Sequence, residues 1–212
     1  MTELNVGNGR CMGAARLLIR PVQAVIELGA AGDLLAAALR SVHHVNRHGS
    51  TDDFIAVALP GMRMGRKAML PGHDLELIGS EASLDTLLAL DGIAALKRRG
   101  MLQDMEVSET FADPGMTGAA YIRDQSRVKH TSGWIRRSKA RAERRSKHLG
   151  KPVKIRAHDT SMLVLTHGDA VLHIREFTGL VSDAHLMVST YGFSGSVTPA
   201  ILPVFPDSLR GS

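Results

Sequence analysis

The sequence predicts an α+β fold, and three features carry that expectation. Two short amphipathic helical stretches lie between runs of β-forming residues in the first half. One arginine-rich stretch without an apolar face occupies the middle, and the last third is dense in strand formers. Helices set between strands in this way predict a split βαβ, or ferredoxin-like, domain over residues 1–115. A second domain, 116–212, carries the basic helix at about 134–148.

Taken in order, residues 1–15 are glycine-rich and aperiodic and predict a loose start. Leu17–Leu28 contains β-branched residues and predicts a strand, with Pro21 favouring an edge position. After the Gly29–Gly32 turn, Asp33 is positioned to cap a helix whose apolar face is Leu34, Leu35, Ala38, Leu39 and Val42. Gly49–Asp53 ends that helix, and Phe54–Pro60 reads as a short buried strand. A loop or hairpin follows, then a strand from Asp74 to Ile78. Ser80 caps a second helical region with Leu84, Leu87, Leu88 and Leu90 on its apolar face, and Gly92 is placed to bend it. Residues 100–112 fit helix or strand. Beyond the turn-rich DPGMTG, 120–133 reads as extended or loop-like. The basic helix follows, with Gly133 just before it and Gly150 just after. SMLVLTH (161–167), VLHIREF (171–177) and HLMVSTYGF (185–193) predict strands, and the proline-broken SVTPAILPVFP predicts an extended packed tail.

The formal charge of +5 hides its own distribution. Residues 1–120 hold 11 Lys/Arg against 14 Asp/Glu, residues 121–156 hold 13 against 2, and residues 157–212 hold 2 against 5. A uniformly basic histone-like protein is excluded, whereas a localised polyanion-binding element is favoured. Cys11 is the only cysteine, which excludes a disulfide framework or four-cysteine zinc site and fits a reducing compartment. Neither a secretory signal nor an apolar run of membrane length is read, so the cytoplasm is the expected location. The glycines form neither a Walker A loop nor a dinucleotide fingerprint, which counts against ATP- or NAD-driven chemistry.

Arg137, Arg141, Arg144 and Arg145 fall at i, i+4, i+7 and i+8 and share one helix face, broadened by Arg136, Lys139 and Lys147. So many guanidinium groups repel one another unless a polyanion neutralises them, which favours nucleic acid over a merely solvated face. Upstream, Arg127 and Lys129 can reach base edges or phosphates from a linker. His43 and His44 close the first helix, where histidine suits the helix dipole. The same side chain can move a proton in RNA cleavage, where the 2′-hydroxyl supplies the nucleophile and no metal is needed. Tyr191 stands in STYGFSG at a strand end, and Ser161, Thr166 and Ser189 are hydroxyls near the same strands.

Several of these pieces occur together in one order. HHVNRHGSTDDFIAVALP is followed by an SRV element leading into the arginine helix, then VLHIREF, STYGFSG and PVFP. In that order and spacing the chain, from about Leu17 onward, resembles the repeat-processing RNA endonucleases of type I-F CRISPR systems. These are the Csy-type pre-crRNA nucleases, with their transposon-associated relatives. The resemblance implies a ferredoxin-like N-terminal domain and a divergent C-terminal domain bearing the arginine helix. It also implies binding of the repeat stem-loop and cleavage at its 3′ base without metal or cofactor. The products carry a 2′,3′-cyclic or 3′ phosphate and a 5′-hydroxyl. The enzyme, a monomer when free, then stays on the hairpin beside the other effector-complex subunits. Counting back from Pro60 puts the family's histidine on His44, with His43 adjacent. Its tyrosine falls on Tyr191 and its guanine-reading arginine on Arg127. Lys129 stands where the family often has glutamine. No serine stands at 163–165 to match the catalytic serine, and Thr166 and Ser161 are the nearby hydroxyls. Two other functions compete with this expectation: a non-cleaving subunit that caps a guide-RNA hairpin, and a DNA-binding regulator.

Overall fold

Two four-stranded antiparallel sheets organise the described residues. The computed structural model describes residues 4–66, 68–110, 113, 115–124, 132–150, 162–167, 170–181 and 186–205, without the side chains of 132, 134, 135, 166, 167 and 170. The first sheet is built from β2 (Ala15–Ile19), β3 (Ala56–Ala58), β6 (Leu75–Gly79) and β7 (Val107–Glu109), in the order β3-β6-β2-β7. Helix α2 (Ala31–His48) connects β2 to β3, and helix α3 (Glu81–Ala89) lies between β6 and β7. Numbered along the chain, the four strands therefore stand in the order 2-3-1-4. The second sheet uses β8 (Thr117–Arg123), β9 (Leu163–His167), β10 (Ala170–Leu180) and β12 (Leu202–Pro203), in the order β12-β8-β10-β9. Its order is 4-1-3-2, the same sequence of neighbours read from the opposite edge. Helix α5 (Ser132–Leu149) follows its first strand, as α2 follows the first strand of the other sheet.

Burial explains why these segments take these forms. Every residue of β3 and β6 is buried; β3 is apolar throughout, whereas β6 carries one charge, Glu76, paired with Arg16 at 2.9 Å. On α2, Leu34, Leu35, Ala38, Leu39, Val42 and Val45 are buried at helical spacing, each worth roughly 1.5–3 kcal/mol where a full valine or leucine side chain leaves water. Buried Asn46 closes the helix onto β3, donating to the Ile55 carbonyl at 2.9 Å and accepting from the Ile55 amide at 2.7 Å. Ser80 caps α3 in a reciprocal box with Ser83, and its hydroxyl also donates to Asp53 at 2.7 Å. Leu90 then adopts extended geometry and separates α3 from helix α4 (Asp91–Arg98), so the break falls two residues before Gly92.

Several expectations are corrected. The glycine-rich start is not loose: residues Asn8–Cys11 form β1, paired antiparallel with β11 (Leu186–Ser189). Gly9 makes this possible, because a Cβ there would stand 2.6 Å from the Phe54 ring. The strand expected over Leu17–Leu28 ends at Ile19, and the short helix α1 (Gln23–Glu27) follows Pro21 and Val22. Asp33 does not cap α2, which starts at Ala31 without a side-chain cap, and the helix runs past His44 to His48. The hairpin between β3 and β6 forms as β4 (Arg63–Met64) and β5 (Met69–Leu70). Gly133 lies inside α5, while Gly150 follows it with a left-handed φ of +60°.

Candidate functional site

The last turns of α2, the loop after β11, the end of β8 and the segment before β1 meet around one groove of about 330 Å³. Residues Ser189–Phe193 close a tight hairpin. The Ser189 amide donates to the Phe193 carbonyl at 2.9 Å, and the Gly192 amide donates to the Ser189 carbonyl at 2.7 Å. Thr190 and Tyr191 occupy the corners, and Gly192 takes the left-handed position with φ +80°. The loop is docked on the first sheet, since the Val57 amide donates to the Gly192 carbonyl at 2.9 Å. A Cβ on Gly192 would lie 2.5 Å from Val57 Cγ2 and 2.9 Å from the Ile55 carbonyl oxygen. Backbone conformation and close approach both demand glycine there.

This loop presents Tyr191 to His43. Their rings stack with centroids 4.1 Å apart and planes 8° from parallel. His43 Nδ1 lies 3.3 Å from the Thr190 carbonyl oxygen. A carbonyl only accepts, so in the neutral ring this contact keeps the proton on Nδ1 and leaves the lone pair on Nε2. The Arg123 guanidinium carbon stands 4.6 Å from the Tyr191 ring centroid, a cation–π contact that adds to the stack. Arg123 is fixed at the end of β8 by its amide, which donates to the Ser194 carbonyl at 2.9 Å.

Helical periodicity decides which histidine enters the groove. His43 follows buried Val42 and precedes buried Asn46 by three residues, at the edge of the packed face, and Arg47 one turn later shares that edge. His44 shares its stripe with exposed Arg40 and His48. It stacks on His48 at 4.1 Å, and His48 Nδ1 donates to the His44 carbonyl at 2.8 Å. The residue count from Pro60 thus selects His44, whereas the geometry brings His43 to Tyr191.

Asn8, Arg123 and Ser189 also line a second hollow of about 340 Å³, which Asp124, Met187 and Ser194 help to enclose. On α5, Arg136, Arg137, Lys139, Arg141, Arg144 and Arg145 are all exposed. Arg141 Nε donates to the Arg137 carbonyl at 3.4 Å and Arg144 Nε to that of Ala140 at 3.3 Å, folding these side chains back along the helix. Thr166 is on β9 opposite Val171, with its side chain outside the described set. Arg127, Lys129 and Ser161 lie outside the described residues.

Sequence reading missed Arg47, Arg123 and Asn8. Arg47 carried a signal, its i+4 spacing from His43. Arg123 and Asn8 carried none, because each reaches the groove through strand pairings between distant segments. Among the described residues no cluster of His, Cys, Asp and Glu could hold a metal ion, and no helix is long and apolar enough to cross a membrane. No protein-family model matches the chain, and no curated protein matches it.

Proposed function

We propose that this chain is a metal-independent endoribonuclease acting on an RNA stem-loop, in the manner of the CRISPR repeat-processing nucleases it resembles. The observation that carries the proposal is His43 stacked on Tyr191 beside Arg123 in an open groove. Both sheets follow the strand order of a ferredoxin-like βαββαβ unit, the first with α2 and α3 as its helices. This supports reading the chain as two such units, the second modified to carry the arginine helix.

In this mechanism α5 holds the stem while the groove receives the strand at its 3′ base. His43 Nε2 takes the proton from the 2′-hydroxyl, and that oxygen attacks the neighbouring phosphorus. The bond from phosphorus to the 5′ oxygen breaks, and the leaving oxygen takes up a proton equivalent to the one removed. The products are a 2′,3′-cyclic phosphate and a 5′-hydroxyl, with protons and electrons balanced and no co-reactant required. Tyr191 acts as a positioning residue by fixing the imidazole plane. The protein then stays on the hairpin as an effector-complex subunit.

The test is cleavage of the CRISPR repeat transcript in excess chelator. His43→Ala is expected to slow the reaction by roughly 10²–10⁴-fold, as loss of a general base does, while His44→Ala cuts at the wild-type rate. Full activity in His43→Ala, or activity abolished by chelator, would overturn the assignment. Tight hairpin binding by the wild type without any product would identify the non-cleaving subunit instead.

A further inference from the structure

The geometry points to a two-arginine anion site, formed by Arg47 and Arg123, that holds the non-bridging oxygens of the phosphate at the scissile position. It rests on the nuclease reading for its substrate, but its structural basis is separate. Both side chains line the His43–Tyr191 groove. In both, Nε is buried and makes no hydrogen bond to any described residue. A buried guanidinium N–H without an acceptor costs about 1–3 kcal/mol or more, so it persists where a ligand supplies the acceptor. None of the described residues lining this groove is acidic, although two guanidinium groups and an imidazole converge there. An anion is the missing partner, and a guanidinium fork matches the spacing of phosphate oxygens.

The two arginines come from different elements of the fold. Arg47 is one turn beyond His43 on α2, and its carbonyl accepts from the Asn5 amide at 2.9 Å, pinning the helix end. Arg123 comes from β8 and packs on Tyr191. A phosphate held between them sits beside the imidazole that activates the 2′-hydroxyl. When that oxygen adds to phosphorus, the two non-bridging oxygens take on extra negative charge. Donors already aimed at them stabilise this state more than the starting phosphodiester. Arg47 and Arg123 are therefore assigned to transition-state charge, and α5 to holding the stem.

Inorganic phosphate is the probe for the site itself. In ¹⁵N-labelled protein, with the signals assigned through Arg47→Lys and Arg123→Lys, phosphate is expected to shift both Nε–Hε resonances to saturation. Silence of both resonances overturns the site. In single-turnover cleavage, either lysine variant is expected to lose roughly 10²–10³-fold in rate, the scale of removing one oxyanion donor, with hairpin affinity unchanged. Lysine keeps the charge and lacks Nε, so the effect reads geometry. Thermal unfolding of each variant, with exposed Arg40→Ala as control, confirms the fold. Phosphate-responsive arginines in a protein that cuts no RNA would leave the anion site standing and remove the nuclease reading. Rapid cleavage by both lysine variants would leave the nuclease reading standing and overturn the assignment of the two arginines to the scissile phosphate.

Discussion

At the scale of single residues, the groove depends on a position that bears no chemistry. Gly192 turns the chain after Tyr191 with a left-handed φ and lets the loop lie directly on Val57 and Ile55. Gly192→Ala adds a left-handed penalty of about 1–2 kcal/mol and an overpacking cost of about 1–3 kcal/mol. Denaturant unfolding is expected to show a loss on the order of 2–5 kcal/mol, and cleavage should fall with it as Tyr191 leaves His43. Unchanged stability would mean that the loop does not dock as described. Tyr191 stood out in the sequence as an aromatic at a strand end, and only the family resemblance set it beside a histidine. Which histidine faces Tyr191 was not legible by residue count, since His43 and His44 are adjacent in sequence and about 100° apart around the helix. Only the burial of Val42 and Asn46 separates them.

At the scale of elements, α5 differs from every other helix described. None of its described side chains is buried, and its sequence carries seven Lys/Arg and one Glu between 132 and 149. Packing does not explain that composition, and the proposed function accounts for it by the phosphates of an RNA stem. Binding of a repeat hairpin, followed by fluorescence anisotropy across a salt series, is expected to weaken steeply as salt rises. Arg141→Ala with Arg144→Ala should flatten the log–log slope by roughly 1 for each phosphate that the helix no longer neutralises. An unchanged slope would leave α5 as a solvated surface. This helix was read almost in full from its sequence, because its signal is local and needs no partner. The α3 cap was equally legible at Ser80. Strand β1 was not, since glycine-rich residues form a strand there only through pairing with β11, far along the chain.

At the scale of the whole molecule, β1 and β11 tie the start of the chain to its last third, and Cys11 sits in that junction. Its thiol donates to the Ile78 carbonyl of the first sheet at 3.2 Å, and its backbone faces Leu186. Burial pushes the Cys11 pKa up from 9.0 to about 11. Above pH 9 the unfolded chain ionises this thiol and the folded one does not, so the unfolded state binds fewer protons. Stability from this group is thus fully present below pH 9 and is lost as pH rises toward and through about 11. Cys11→Ala should remove that part of the alkaline decline in chemical denaturation curves. In the native protein at pH 8 the thiol is also expected to resist alkylation until global unfolding. Rapid labelling without denaturant would show that β1 opens by itself.

The same tie has a consequence in time. His43 meets the Thr190 carbonyl across 147 residues of sequence. At about 5–20 residues synthesised per second, roughly 7–30 s separate the emergence of the histidine from that of the loop that orients it. A nascent or prematurely ended chain therefore displays its basic helix before it owns a finished groove. Under the proposed function, the helix assigned to the stem is thus synthesised before the groove assigned to cleavage is complete.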